Sequence, residues 1–186
     1  MDSLTKFIKT LIECFEKEGL DYALTGALAV SYYGVPRTTS DIDIIVAIPK
    51  KNTSMKNATK AKLVLSLCNA GLEVQEKKID DALSSGYKIA TFYCKTSPYR
   101  VDVIFSEEVH KQIGEIVGAK TSLQVPEDLI SAKLRMIQAT LDTERAVKDE
   151  RDIHAILRFT RVNRDTVRRQ AEKDGTLEVW RRFLND

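Results

Sequence analysis

The sequence predicts an α/β (α+β) fold: a mixed sheet flanked by helices, followed by a C-terminal helical extension. Three observations predict it. Short β-branched or alternating runs, strongest in "DIDIIVAI" at residues 41–48, are interleaved with helical patterns through the first part of the chain. From Pro126 onward only helical spacing persists. Gly and Pro fall at the junctions between these patterns, where turn chemistry belongs. The expected organisation is a mixed core over residues 1–120 and a helical region over residues 121–186 packed on it.

The elements follow in order. Ser3 is a suitable N-cap for an opening helix that stops at Gly19, with Leu4, Phe7, Ile8, Leu11, Ile12 and Phe15 at helical spacing. "DYALT" reads as a short strand ending at Gly26, and "ALAVSYYG" as a short helix closing at Gly34. In "VPRTTS", Pro36 excludes a continued helix. "DIDIIVAI" is then a strand ended by Pro49. The lysine-rich "PKKNTSMKNATKAK" reads as a loop leading into a helix over about residues 57–70, which stops at Gly71. "LEVQEKK", "YKIATFYC" and "YRVDVIF" read as strands, the last two forming an antiparallel hairpin through Ser97 and Pro98. "PEDLISAKLRMIQATLD", "ERDIHAILRFT" and "RDTVRRQAEKDGTLEVWRRFL" are helical, with Trp180 and Phe183 as an anchor for the last helix.

Composition narrows the function classes. The chain has 186 residues, 43% hydrophobic and 30% charged, with a net charge of +2, too mild to imply nucleic acid by itself. No apolar run approaches the ~20 residues that cross a bilayer, so no membrane partner is expected. The N-terminal stretch carries charges throughout, unlike a signal peptide. Cys14, Cys68 and Cys94 are odd in number and set among apolar residues, which suits buried free thiols in a reducing compartment. His110 and His154 have no zinc-ligand spacing. The expected location is cytoplasmic.

The chemistry sits in "DIDIIV". Residues i and i+2 of a strand share a face, so Asp41 and Asp43 project together while Ile42 and Ile44 face a core. Two carboxylates so placed repel, and half-burial strengthens the repulsion. A hard divalent cation such as Mg²⁺, which takes oxygen ligands, would offset it. Asp102 in "YRVDVIF" completes a triad if its strand lies beside the first, giving the kind of clamp used in phosphoryl transfer. The plainer alternative is a solvated strand face with Asp102 unrelated. Upstream, "YALTGALAV" puts Gly26 at a strand-to-helix junction, where backbone N–H groups attract phosphate.

Joined together, Thr25-Gly26-Ala27, thirteen intervening residues and Asp41-Ile42-Asp43 resemble the motif of the nucleotidyltransferase superfamily with the polymerase-beta-like fold. "GALAVSYYGVPRTTSDIDIIV" and "PEDLISAKLRMIQATLDTERAVKDERDIHAIL" are most similar to its small AbiEii-like branch, which contains toxin nucleotidyltransferases. The resemblance implies transfer of an NMP from an NTP to an acceptor: RNA such as tRNA, a protein or a small molecule. It implies Mg²⁺ or Mn²⁺ on Asp41, Asp43 and Asp102, with Asp102 also accepting the nucleophile's proton. It places Gly26 and Ala27 against the triphosphate, Lys133 on phosphate, Asp149 or Asp152 in support, and Arg37 and Thr38 on phosphate or acceptor. An antitoxin is an implied partner.

Ala27 departs from the family pattern, which has Gly or Ser there. That departure motivates a second expectation, a catalytically inactive module that keeps the fold and binds nucleotide or a partner. Apart from the resemblance, Lys133, Asp149 and Asp152 read as surface charges, the aspartates pairing with Arg145, Lys148 or Arg151. Arg161, Arg164, Arg168, Arg169, Arg181 and Arg182 form either a basic stripe for RNA or a solvated face.

Overall fold

The stripe of Phe7, Ile8, Leu11, Ile12 and Phe15 forms the buried side of α1 (Ser3–Lys17) in the computed structural model. The structure describes residues 3–49 and 52–184. Gly19, at φ 61°, follows the helix in the left-handed region that ends helices. Next come β1 (Tyr22–Leu24), α2 (Gly26–Tyr33) and β2 (Asp41–Ala47).

Three segments differ from their sequence reading. The lysine-rich loop is largely helix: α3 spans Thr53–Asn69 because Asn52 caps it, its Oδ1 accepting from the Met55 N–H at 3.0 Å. "LEVQEKK" is not one strand. Its alternation stops at Val74, so β3 is only Leu72–Glu73, and α4 (Glu76–Ser84) buries Ile79 and Ala82 three residues apart. The last helical stretch is broken in two by Gly175, whose φ of 72° caps α7 before α8 begins.

β4 (Ile89–Cys94) and β5 (Arg100–Ser106) form the expected antiparallel hairpin. A second hairpin, β6 (Lys111–Ile116) with β7 (Ala119–Gln124), was not assigned from sequence. Its turn uses Val117 at φ 49° and Gly118 at φ 76°, the paired positive φ of a type I′ turn. β6 is a mostly exposed strand at the end of the sheet, so it carries no alternating apolar signal. The remaining helices are α5 (Pro126–Ala139), α6 (Glu144–Phe159), α7 (Arg164–Asp174) and α8 (Leu177–Arg181).

The seven strands form one mixed sheet in the order β3-β4-β5-β2-β1-β7-β6. β2 pairs parallel with β5, and β1 with β7; the other pairings are antiparallel. One face buries Ile42, Ile44 and Val46 beside Val101, Val103 and Phe105, with Ala90 and Phe92 continuing onto β4. α1 covers this face, Phe15 packing edge-on to Tyr22 at 5.1 Å between ring centres.

The chain divides into two compact units, one of Met1–Leu28 with Thr38–Gln124, the other of Ala29–Arg37 with Val125–Asp186. The first holds the sheet with α1, α3 and α4. The second holds α5 to α8 and most of α2. There, Gly34 lets the chain come close to α6, since a Cβ at this position would sit 3.0 Å from the Ala155 backbone carbon. The Thr160 hydroxyl, just past α6, donates to the Tyr33 carbonyl at 2.6 Å. Trp180 is fully buried, and Phe183 lies 5.0 Å from the His154 ring of α6, so this pair anchors the chain end as read from sequence. Among the tail arginines, Arg168 pairs with Glu172, Arg181 with Glu178 and Arg182 with Glu150, the pattern of a solvated face.

All three cysteines are free, but none is fully buried, and Cys68 is exposed. Among the described residues no helix is long and apolar enough to cross a membrane.

Candidate active site

β2 carries Asp41 and Asp43 on the face opposite Ile42 and Ile44. β5 lies alongside in parallel, its Asp102 directly opposite Asp43 and its Arg100 directly opposite Asp41. Paired residues on neighbouring strands share a face at a strand spacing of ~4.8 Å. Three carboxylates and one guanidinium therefore occupy one patch, all four half-buried. The condition set from sequence, that the strand of Asp102 lie beside that of Asp41 and Asp43, is met.

The charges in the patch are partly balanced within it. Arg100 Nη2 donates to Asp41 Oδ2 at 2.8 Å, and its Nε lies 3.8 Å from Asp102 Oδ2. Thr91 sits opposite Asp102 on β4 and donates its hydroxyl to Asp102 Oδ1 at 2.6 Å. The Ser40 hydroxyl donates to Asp41 Oδ1 at 3.0 Å. The donor set is all carboxylate oxygen, the kind a hard divalent ion takes. As the side chains lie, no three His, Cys, Asp or Glu among the described residues form a group able to hold a metal ion. The donors thus suit the ion in kind and in strand position, while Arg100 holds one of them.

Gly26 is fixed in identity by its neighbours. Its φ is 56°, and a Cβ there would come within 1.9 Å of Asp43 Oδ2 and 2.6 Å of its Cγ. The Asp43 carboxylate thus fills the space any side chain at position 26 would need. The Thr25 N–H donates to the Asp43 carbonyl at 2.9 Å, and the Thr25 hydroxyl donates to Gln124 Oε1 at 2.5 Å, tying the junction to both β2 and β7. Gly26→Ala is expected to displace the Asp43 carboxylate and to strain the left-handed backbone at position 26, costing about 1–2 kcal/mol. Thermal melts of the variant and the wild type check this, with a fall in Tm of roughly 2–8 °C expected for a chain of this size. Ala27 is 3% exposed and its methyl offers no polar group, while Thr38 is exposed.

A second charged cluster lies in the other unit. Lys133 on α5 is 7% exposed, and its Nζ is 2.7 Å from both Asp149 Oδ1 and Asp152 Oδ2 on α6. Arg145 Nε reaches Asp149 at 3.2 Å, and Arg37 Nη2 reaches Asp152 at 3.3 Å. Asp149 and Asp152 are 3% and 6% exposed, so the reading of them as surface charges does not hold. Burial at that level requires compensation, which three cations supply.

Arg100 joins the patch although no role was expected for it from sequence. Its i, i+2 relation to Asp102 was the available signal. Thr91 could not have been found, because its contact depends on the β4–β5 register.

Comparisons with solved structures identify the class that this fold defines. The antibiotic-resistance factor ANT(2'')-Ia matches in its solution structure at a TM-score of 0.61 and 13% identity, covering 100% of both chains. An antigenic nucleotidyltransferase-like protein from Paracoccidioides brasiliensis matches at 0.59 and 15% identity, over 96% of this chain and 92% of that one. The lincosamide antibiotic adenylyltransferase LnuA, bound to lincomycin, matches at 0.52 and 15% identity, over 81% and 96%. The fold is that of the nucleotidyltransferases. No curated protein matches by sequence. The family described as "Nucleotidyl transferase AbiEii toxin, Type IV TA system" matches residues 10–180, and the chain belongs to that family. The resemblance read from the glycine junction and the carboxylate pair is borne out.

Proposed function

We propose that this nucleotidyltransferase moves an NMP from an NTP to an acceptor hydroxyl, on RNA, protein or a small molecule, using the patch of Asp41, Asp43 and Asp102. The observation that carries the reading is the direct opposition of Asp43 and Asp102 on parallel strands, with Asp41 two residues away on the same face. The acceptor oxygen bonds to the α-phosphorus, the bond to the bridging oxygen of the β-phosphate breaks, and pyrophosphate leaves. The hydroxyl proton passes to Asp102, whose Oδ1 is held by Thr91, leaving Oδ2 as the accepting atom. Asp41, Asp43 and Asp102 would hold Mg²⁺ or Mn²⁺, which when bound supplies positive charge to the phosphate oxygens.

Gly26 and Ala27 place the backbone of the first turn of α2 against the triphosphate. Lys133, whose ammonium is held by Asp149 and Asp152, is proposed as a nucleotide-binding residue, as the family resemblance implies. Arg37 and Thr38 are proposed to touch phosphate or acceptor. Membership of a toxin family supports a toxin role, with an antitoxin as its partner; a cytoplasmic location is proposed from the three free thiols. The experiment is incubation with α-labelled and γ-labelled NTPs in turn, with candidate acceptors and with or without Mg²⁺. Label from the α position is expected in the acceptor and γ label in pyrophosphate, only with the metal. Nucleotide binding without turnover under all conditions would instead identify an inactive binding module.

A further inference from the structure

We infer that Arg100 is the built-in counter-cation of the carboxylate patch, holding Asp41 in the ion-free protein and yielding it when a divalent ion binds. The inference rests on the proposed transfer centre and concerns how that centre is loaded. Three observations converge on it. Register puts Arg100 directly opposite Asp41, and the pair closes at 2.8 Å. The Arg100 Nε is shielded from solvent with no hydrogen-bond partner, yet points no closer than 3.8 Å to Asp102 Oδ2. A buried N–H left unmatched is costly, and the guanidinium sits between two carboxylates while hydrogen-bonding only Asp41. Finally, the side chains of Arg100 and Asp41 are 42% and 37% exposed. A pair in that much solvent is weak and exchangeable.

The contrast within the molecule sharpens the point. The Lys133–Asp149 pair, with side chains 8% and 4% exposed, is locked by burial. Arg100 has no such lock. A cation already on Asp41 competes with the ion, so only the fraction of molecules with that carboxylate released is competent to ligate through it. Once displaced, the guanidinium keeps its five N–H donors and accepts an anionic partner, for which a nucleotide phosphate is suited. Ion loading is therefore coupled to nucleotide: the ion binds more tightly when a triphosphate gives Arg100 somewhere else to go.

The test is Mn²⁺ binding to the full chain, read from loss of the free-ion electron paramagnetic resonance signal. Wild type, Arg100→Gln and Arg100→Lys are titrated without nucleotide and with a non-hydrolysable NTP, the signal lost to the same NTP without protein being subtracted so that only protein-bound Mn²⁺ is counted. Without nucleotide, Arg100→Gln is expected to bind Mn²⁺ about fivefold more tightly than wild type, the scale of one half-exposed ion pair. Arg100→Lys keeps a cation there and is expected to stay within about twofold of wild type, which a purely packing role would not produce. Nucleotide is expected to tighten Mn²⁺ binding in wild type and to do so less in Arg100→Gln. Arg100→Met keeps the aliphatic stem and gives the same readout should the glutamine variant fold poorly. Unchanged or weaker Mn²⁺ binding in both neutral variants, with wild type still responding to nucleotide, overturns the role of Arg100 alone. No Mn²⁺ binding by wild type with or without nucleotide overturns the transfer centre and this inference with it.

Discussion

Asp43→Asn is expected to lower nucleotidyl transfer by about a hundredfold to a thousandfold, the cost of losing one of the carboxylates proposed to hold the divalent ion. The substitution keeps the shape of the side chain and removes only its charge. Asp43 is the most constrained of the three carboxylates: it faces Asp102 across the strand pair, and its Oδ2 fills the space that Gly26 leaves. Its own carbonyl accepts from Thr25 at 2.9 Å through the backbone, which the variant leaves in place. The fold is therefore expected to survive, and circular dichroism together with single-turnover transfer of α-labelled NTP checks both halves. Equal transfer by variant and wild type would contradict the assigned chemistry.

The second large effect is on stability. Lys133→Met removes the cation shared by Asp149 and Asp152, which are 3% and 6% exposed. Breaking a buried pair leaves uncompensated charge and costs about 3–5 kcal/mol. Arg145 at 3.2 Å and Arg37 at 3.3 Å remain, so the lower end applies. A loss of about 3 kcal/mol corresponds to a fall in Tm of roughly 6–12 °C for a chain of this size. Replacing the three residues together by Met, Leu and Leu removes the three buried charges at once and leaves only the more exposed Arg37 and Arg145, and such exchanges are often neutral or stabilising. The triple variant is therefore expected to recover most of the lost Tm. Thermal melts of the two variants side by side measure this, and a triple variant no better than the single would show that the cluster stabilises by geometry beyond charge.

Much of the candidate site was legible because it is local. The i, i+2 spacing of Asp41 and Asp43 on a β-branched run fixes their shared face without any tertiary knowledge. Gly26 is legible as a junction, though the reason only glycine serves there, the Asp43 carboxylate at 1.9 Å, needs coordinates. Asp102 is legible in the pattern of its own strand, but that this strand lies beside β2, and parallel to it, depends on the tertiary fold. Elements whose signal is weak or non-local were missed. β6 is a mostly exposed strand at the end of the sheet, and its hairpin depends on positive φ at Val117, a residue that gives no hint of it. α3 begins early because one Asn caps it, and α4 is short with only Ile79 and Ala82 buried. Burial of Lys133 with two aspartates is a tertiary outcome, since the same residues at i and i+3 read equally well as a wet helix surface.

The central claim is that the carboxylates of β2 and β5 act together on one divalent-ion and triphosphate centre. The most direct measurement is a crystal grown with Mn²⁺ and a non-hydrolysable NTP, with the ion located by its anomalous scattering. The expected result is an anomalous peak ligated by Asp41, Asp43 and Asp102 and by phosphate oxygens, with Arg100 withdrawn from Asp41. A triphosphate bound with the ion elsewhere, and the Arg100–Asp41 pair intact beside it, would contradict the account.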